Sequence, residues 1–131
     1  MLTADVVSTD TANTLKALNG LSFPVVAGVL YTFEATIFYT SVATTTGSRW
    51  TINGPTATVC YQSEYTLTAT TSTRNAMLQA YNLPAACNAT SVVAPNMALI
   101  KGFVKPTVDG TVVVQFASEV ANSAITAKTV S

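Results

Sequence analysis

Tyr31-Thr32-Phe33-Glu34-Ala35-Thr36-Ile37-Phe38-Tyr39-Thr40 alternates with a period of two. Tyr31, Phe33, Ala35, Ile37 and Tyr39 share one side; Thr32, Glu34, Thr36 and Thr40 share the other, broken only by Phe38. Successive side chains of a strand point to opposite faces, so this stretch predicts a β-strand with one face in a core and one largely wet.

The same pattern recurs on both sides of it. After a small polar tract at Thr44–Ser48, Arg49-Trp50-Thr51-Ile52-Asn53 turns Trp50 and Ile52 inward and Arg49, Thr51 and Asn53 outward. Asn53-Gly54-Pro55 then closes it with turn chemistry. From about Thr58 to Thr70, Val59, Tyr61, Ser63, Tyr65, Leu67 and Ala69 alternate with Cys60, Gln62, Glu64, Thr66 and Thr68. Met97 to Val104 reads as a further strand, Asp109-Gly110 as the hairpin turn after it, and Thr111 to Val120 as a Val-rich partner. Ser123 to Val130 supplies the last strand. At the N-terminus Ala4–Val7, Thr14–Leu18 and Leu21–Val25 make three short strands or one bent one. Arg74 to Tyr81 fits a helical turn, a strand or an extended loop, and Pro84 to Ser91 has loop composition.

Composition points the same way. The 131 residues include 23 Thr, 10 Ser and 19 Ala, with 9% charged residues, no His and a net charge of zero. Thr is β-branched and suits a half-buried pleated surface. About eight short strands with frequent turns predict one all-β domain over residues 1–131, a β-sandwich. Loops of unequal length favour a jelly roll. An immunoglobulin-like sandwich is the alternative, although Trp50 precedes both cysteines.

Several function classes are excluded at this level. Six scattered cations at zero net charge supply no basic stripe for nucleic acid. Pro24, Gly28, Thr32, Glu34 and Thr36 interrupt the most apolar stretch, so no membrane span is expected. The first ten residues read as no secretory signal. No cofactor or metal is expected, because phosphate loops, acidic clusters and metal-ligand spacings are missing. Cys60 and Cys87 are free thiols or a disulfide. Glu64 and Glu119 are the carboxylates an enzyme acting on glycosides would use; charge pairing with Arg49 is the favoured alternative, within the chain or across a subunit contact. No enzyme is expected. Phe38, Leu99 and Phe103 stand on outward faces where an isolated monomer would carry polar groups, which marks a protein contact.

Particular strings add a resemblance. Gly20-Leu21-Ser22-Phe23-Pro24-Val25, Gly47-Ser48-Arg49-Trp50-Thr51-Ile52-Asn53-Gly54-Pro55, Ser63-Glu64-Tyr65-Thr66-Leu67-Thr68 and Phe116-Ala117-Ser118-Glu119-Val120 occur in that order. So arranged, they resemble a small β domain of virion proteins of tailed bacteriophages and prophages, over about residues 3–128. That domain occurs in tail-fibre or minor tail proteins and in stand-alone head proteins. Lys101 departs from it, standing where an acidic residue is common. Related sequences continue with a further aromatic strand, so the last strand here is expected to be incomplete or to be completed by a neighbouring subunit.

The resemblance implies a structural role. No shaft or coiled coil accompanies the domain, which favours a capsid decoration or cement protein on the outer surface of the head over a receptor- or glycan-binding tail module. The expected partners are the major capsid protein and further copies of the chain, as a homotrimer. The expected location is the virion, after synthesis in the bacterial host cytoplasm.

Overall fold

The computed structural model describes residues 1–8, 12–84 and 92–131. Nine strands form among them, and no helix: β1 Val6–Ser8, β2 Lys16–Val25, β3 Tyr31–Ser41, β4 Ser48–Asn53, β5 Ala57–Thr66, β6 Ser72–Leu78, β7 Asn96–Pro106, β8 Gly110–Ser118 and β9 Ile125–Ala127. They build two antiparallel sheets, one ordered β1-β9-β3-β7-β5-β6 and the other β2-β8-β4. The chain is an all-β sandwich. Jelly-roll and immunoglobulin-like sandwiches both consist of two facing sheets of this kind.

The core lies where the alternation places it. Ile37 and Tyr39 of β3, Ala98, Ile100 and Val104 of β7, and Val59, Tyr61 and Tyr65 of β5 face inward from the large sheet. Leu18, Trp50, Ile52, Val112, Val114 and Phe116 meet them from the small one. Trp50 stacks on Phe116 with centroids 5.0 Å apart and tilts against Tyr39 at 4.7 Å. Its indole N–H donates to the Ser48 hydroxyl at 2.8 Å, so the one polar atom of the Trp50 side chain is satisfied.

Four details differ from the sequence reading. The N-terminal part forms two strands in different sheets, β1 and a β2 that runs from Lys16 to Val25 with an irregularity between Leu18 and Ser22. The long strand from Thr58 stops at Thr66, because the Leu67 and Thr68 amides donate back to the Thr71 carbonyl and turn the chain into β6. Likewise β8 ends at Ser118, leaving Val120 exposed in a turn.

The fourth difference concerns connectivity. Asp109-Gly110 does not close a hairpin, since β7 belongs to the large sheet and β8 to the small one. The link crosses the sandwich beside the β2–β3 link. The two crossings are tied by the Ala27 amide to Asp109 Oδ1 at 2.8 Å and the Gly28 amide to the Pro106 carbonyl at 2.8 Å. Gly28 has a φ of 81°, which a side chain would resist.

The last strand has partners on both sides within the chain: β1 on one and Tyr39–Ser41 of β3 on the other. A neighbouring subunit is therefore not needed to pair the β9 backbone.

Candidate interaction face

The outward side of the large sheet gathers four of the six singled-out residues. Register pairs Phe38 with Met97, Thr36 with Leu99, Glu34 with Lys101 and Thr32 with Phe103 across β3 and β7. On the other side of β7, Leu99 pairs with Glu64, Lys101 with Gln62 and Phe103 with Cys60. The face thus carries cross-strand rows in which an apolar side chain of β7 is flanked by polar or sulfur-bearing neighbours. Phe38 is 39% exposed and Met97 47%, and these two form its most open apolar pair. Leu99 and Phe103 are half-buried.

Glu64 is engaged on this face by its own neighbours. The Ser72 hydroxyl donates to Glu64 Oε1 at 2.6 Å, and Arg74 Nε lies 4.0 Å from Oε2. Both charges are well exposed, so the pair contributes a few tenths of a kcal/mol to about 1. Beside it a groove of about 310 Å³ runs between the β5–β6 turn and the start of β7, lined by Thr66, Thr68, Thr71, Met97 and Leu99.

Arg49 and Glu119 lie elsewhere. Glu119 sits past the end of β8, where Oε2 accepts from the Gly47 amide at 2.8 Å and its own amide donates to the Gly47 carbonyl at 2.9 Å. It locks one loop to another. Arg49 is on β4, an edge of the small sheet, and is buried together with Thr51. The expected wet side of β4 is therefore covered. The returning chain after β6 does this, with the Asn82 amide donating to the Ile52 carbonyl at 3.0 Å.

Arg49 donates to the carbonyls of Asn82 and Pro84. Among the described residues the ion pairs are Glu64–Arg74 and Asp5–Lys128, so Arg49 pairs with neither glutamate within the chain. The three charges do not converge. Two main-chain carbonyls take the place expected for a carboxylate, a role that no side-chain identity signals in advance.

Tyr61 completes this buried junction. Its hydroxyl lies 2.8 Å from the Ala80 carbonyl, 3.0 Å from that of Leu83 and 3.1 Å from Thr51 Oγ1. Burial pushes the phenol above its ordinary value, against the smaller opposing pull of the Thr51 hydrogen bond.

The termini meet along the β1–β9 edge of the large sheet. The Lys128 ammonium hydrogen-bonds to Asp5, whose carboxylate also accepts from the Thr129 amide at 2.9 Å. These contacts, in that order, hold the Asp5 carboxyl below the usual aspartate value. Cys87 lies outside the described residues, and with it the question of a bridge to Cys60. Among the described residues no group of three or more His, Cys, Asp or Glu is placed to hold a metal, and no helix is long and apolar enough to cross a membrane. No protein-family model, curated protein or solved structure matches this chain.

Proposed function

We propose that this protein is a non-enzymatic structural component of a bacteriophage virion. In this reading it is a decoration or cement protein that binds the outer surface of the assembled head as a homotrimer. The observation that carries the contact role is the outward face of the large sheet, with Phe38 and Met97 side by side and Leu99 and Phe103 along the same strand. Apolar side chains rimmed by Thr, Glu and Lys have the make-up of a protein-contact surface. The assignment to a virion rests on the order of motifs in the sequence.

The mechanism would be mass action. A protein that binds the expanded lattice and not its dissociated subunits stabilises the lattice by preferential association. Contacts to several capsid subunits would add avidity through effective concentration.

A receptor- or glycan-binding tail module is the second reading. The groove beside Glu64 favours it, because threonine hydroxyls and a carboxylate suit the hydroxyls of a sugar. One experiment separates the two. Purified protein is incubated with expanded heads lacking it, sedimented, and located by cryo-EM. Saturable binding on the lattice with raised thermal resistance supports the decoration role. Antibody labelling confined to the tail tip, with no head binding, overturns it.

A further inference from the structure

The large sheet contains an edge in its middle. Strand β3 pairs with β7 from Tyr31 to Tyr39, but with β9 only from Tyr39 to Ser41. The Lys128 amide still donates to the Phe38 carbonyl at 2.8 Å, after which Thr129–Ser131 turn out of the ladder. Ser131 caps Phe38 in their place, its hydroxyl accepting from the Phe38 amide at 2.9 Å and approaching the carbonyl at 3.2 Å. Beyond Phe38 that side of β3 has no strand neighbour among the described residues.

Antiparallel pairing fixes which groups are left there. The Phe38 and Val42 backbones point toward β9 and the chain before it, while Ser41 points the other way to the Val93 carbonyl. Alternation then directs the N–H and C=O groups of Thr36, Glu34 and Thr32 to the unoccupied side. The side chains at this edge are two-faced: Ala35 and Phe33 inward, Glu34 and the threonines outward.

Space exists beside these groups. A groove of about 480 Å³ separates Glu34–Thr36 from Gly20–Ser22 of β2, the facing edge of the small sheet, and Met1 and Val130 border it. Leu21 and Ala35 are only partly buried there. Farther along, Phe23 closes the gap by packing on Phe33 at 5.9 Å and on Tyr31 at 6.2 Å. Two of the other edges are protected: the Asn82 amide donates to β4, and β6 has an extra residue and a φ of 59° at Met77.

We propose that the Tyr31–Ile37 edge of β3 is a strand-accepting site for an extended segment of a second polypeptide. The segment runs antiparallel to β3, in the line that β9 leaves at Lys128. Its inward positions near Ala35 carry small apolar side chains, because they enter the gap between Leu21 and Ala35; beside Phe33 and Tyr31, where Phe23 fills the inner side, only the backbone edge is offered. The position opposite Glu34 faces outward and carries a basic side chain, which sets a second cation beside that carboxylate, across from Lys101 of β7. Seven residues of edge accommodate roughly 23 Å of strand. Main-chain hydrogen bonds supply affinity, and the alternate side chains supply selectivity. The site needs only the fold, so it stands whether the protein decorates a head or belongs to a tail.

The probe is a synthetic peptide of seven alternating valines and threonines, with lysine at its central outward position and one lysine added at each end. Amide hydrogen exchange is followed by NMR on the intact protein. In the free protein the Thr32, Glu34 and Thr36 amides should exchange fast, while those of Phe33, Ala35 and Ile37 are protected by β7. Saturating peptide should slow the first three at least tenfold. Methylating the peptide nitrogens that face β3 should abolish this effect, whereas methylating the alternate set should leave it. Glu34→Pro removes a donor only from the open side and should weaken binding more than tenfold with the circular dichroism spectrum retained.

No slowing at millimolar peptide overturns the site. Equal binding of the two methylated peptides also does, since it would mean contact through side chains alone. Protection of the three amides in the free protein that disappears on dilution would show a second copy already seated there, and would overturn the heterologous segment.

Discussion

Gly102 stands directly across from Tyr61 on β5, so close that a β-carbon at residue 102 would lie 2.5 Å from the Tyr61 Cα and 2.2 Å from the Cys60 carbonyl oxygen. The obstacle is backbone, which cannot swing away as a side-chain tip can. Two strands pinch together here at the level of the Tyr61 junction. Gly102→Ala should therefore destabilise the protein by about 3 kcal/mol, the upper end of ordinary overpacking. A urea melt showing a change under about 0.5 kcal/mol would mean that β5 and β7 separate freely at this point.

Arg49 makes a second prediction, different from the one a carboxylate partner would give. Arg49→Ala leaves the Asn82 and Pro84 carbonyls without their charged donor and should cost roughly 3 kcal/mol. Arg49→Lys should recover only part of this, because an ammonium cannot span two carbonyls as a planar fork does. Double-mutant cycles of Arg49→Ala with Glu64→Gln and with Glu119→Gln should show coupling below about 0.5 kcal/mol. A larger coupling in the isolated chain would restore the ion pair that the sequence favours.

The alternation that opens at Tyr31 was sufficient to place β3, β5 and β7, because each buries one face and the period survives intact. Phe38, Leu99, Phe103 and Glu64 fall on one outward face for the same reason. Strand β6 is ambiguous in sequence because it is an edge strand of Ser, Thr, Arg and Asn whose side chains are mostly wet. The path of Asp109-Gly110 is hidden for a different reason. A tight turn has the same residues whether the flanking strands pair or part into two sheets. The neighbourhood of Arg49 could not be read either, since the carbonyls that receive it belong to residues more than thirty positions away, whatever their side chains.

Acid should release the contact between the termini only below the ordinary aspartate range. Asp5 is held below its ordinary value of about 3.9 by Lys128 and then by the Thr129 amide. A depressed carboxyl contributes stability that is present above its unfolded value and lost as pH falls through its folded one. An NMR titration should give Asp5 a midpoint below about 3.9, moved upward by Lys128→Ala. The Thr129 amide resonance should shift with the same midpoint. A Thr129 shift that follows another group would remove the link between Asp5 and the C-terminal turn.

The proposed contact role makes the most exacting demand on Phe38 and Met97. Both are part-exposed, at 39% and 47%, so changing them removes some buried surface and sets two like charges opposite each other, and Phe38→Lys with Met97→Lys should cost about 2 kcal/mol together in a urea melt. Two cations placed side by side in an apolar contact would have to be desolvated without partners, which is far more costly than the loss of two contacts. Head binding by the double variant should fall at least tenfold, about 1.4 kcal/mol. Val108→Lys is the control: it is 51% exposed, lies in the β7–β8 crossing, and should leave binding unchanged. Equal loss in the double variant and the control would point to a general charge effect. Undiminished binding by the double variant would move the contact off this face.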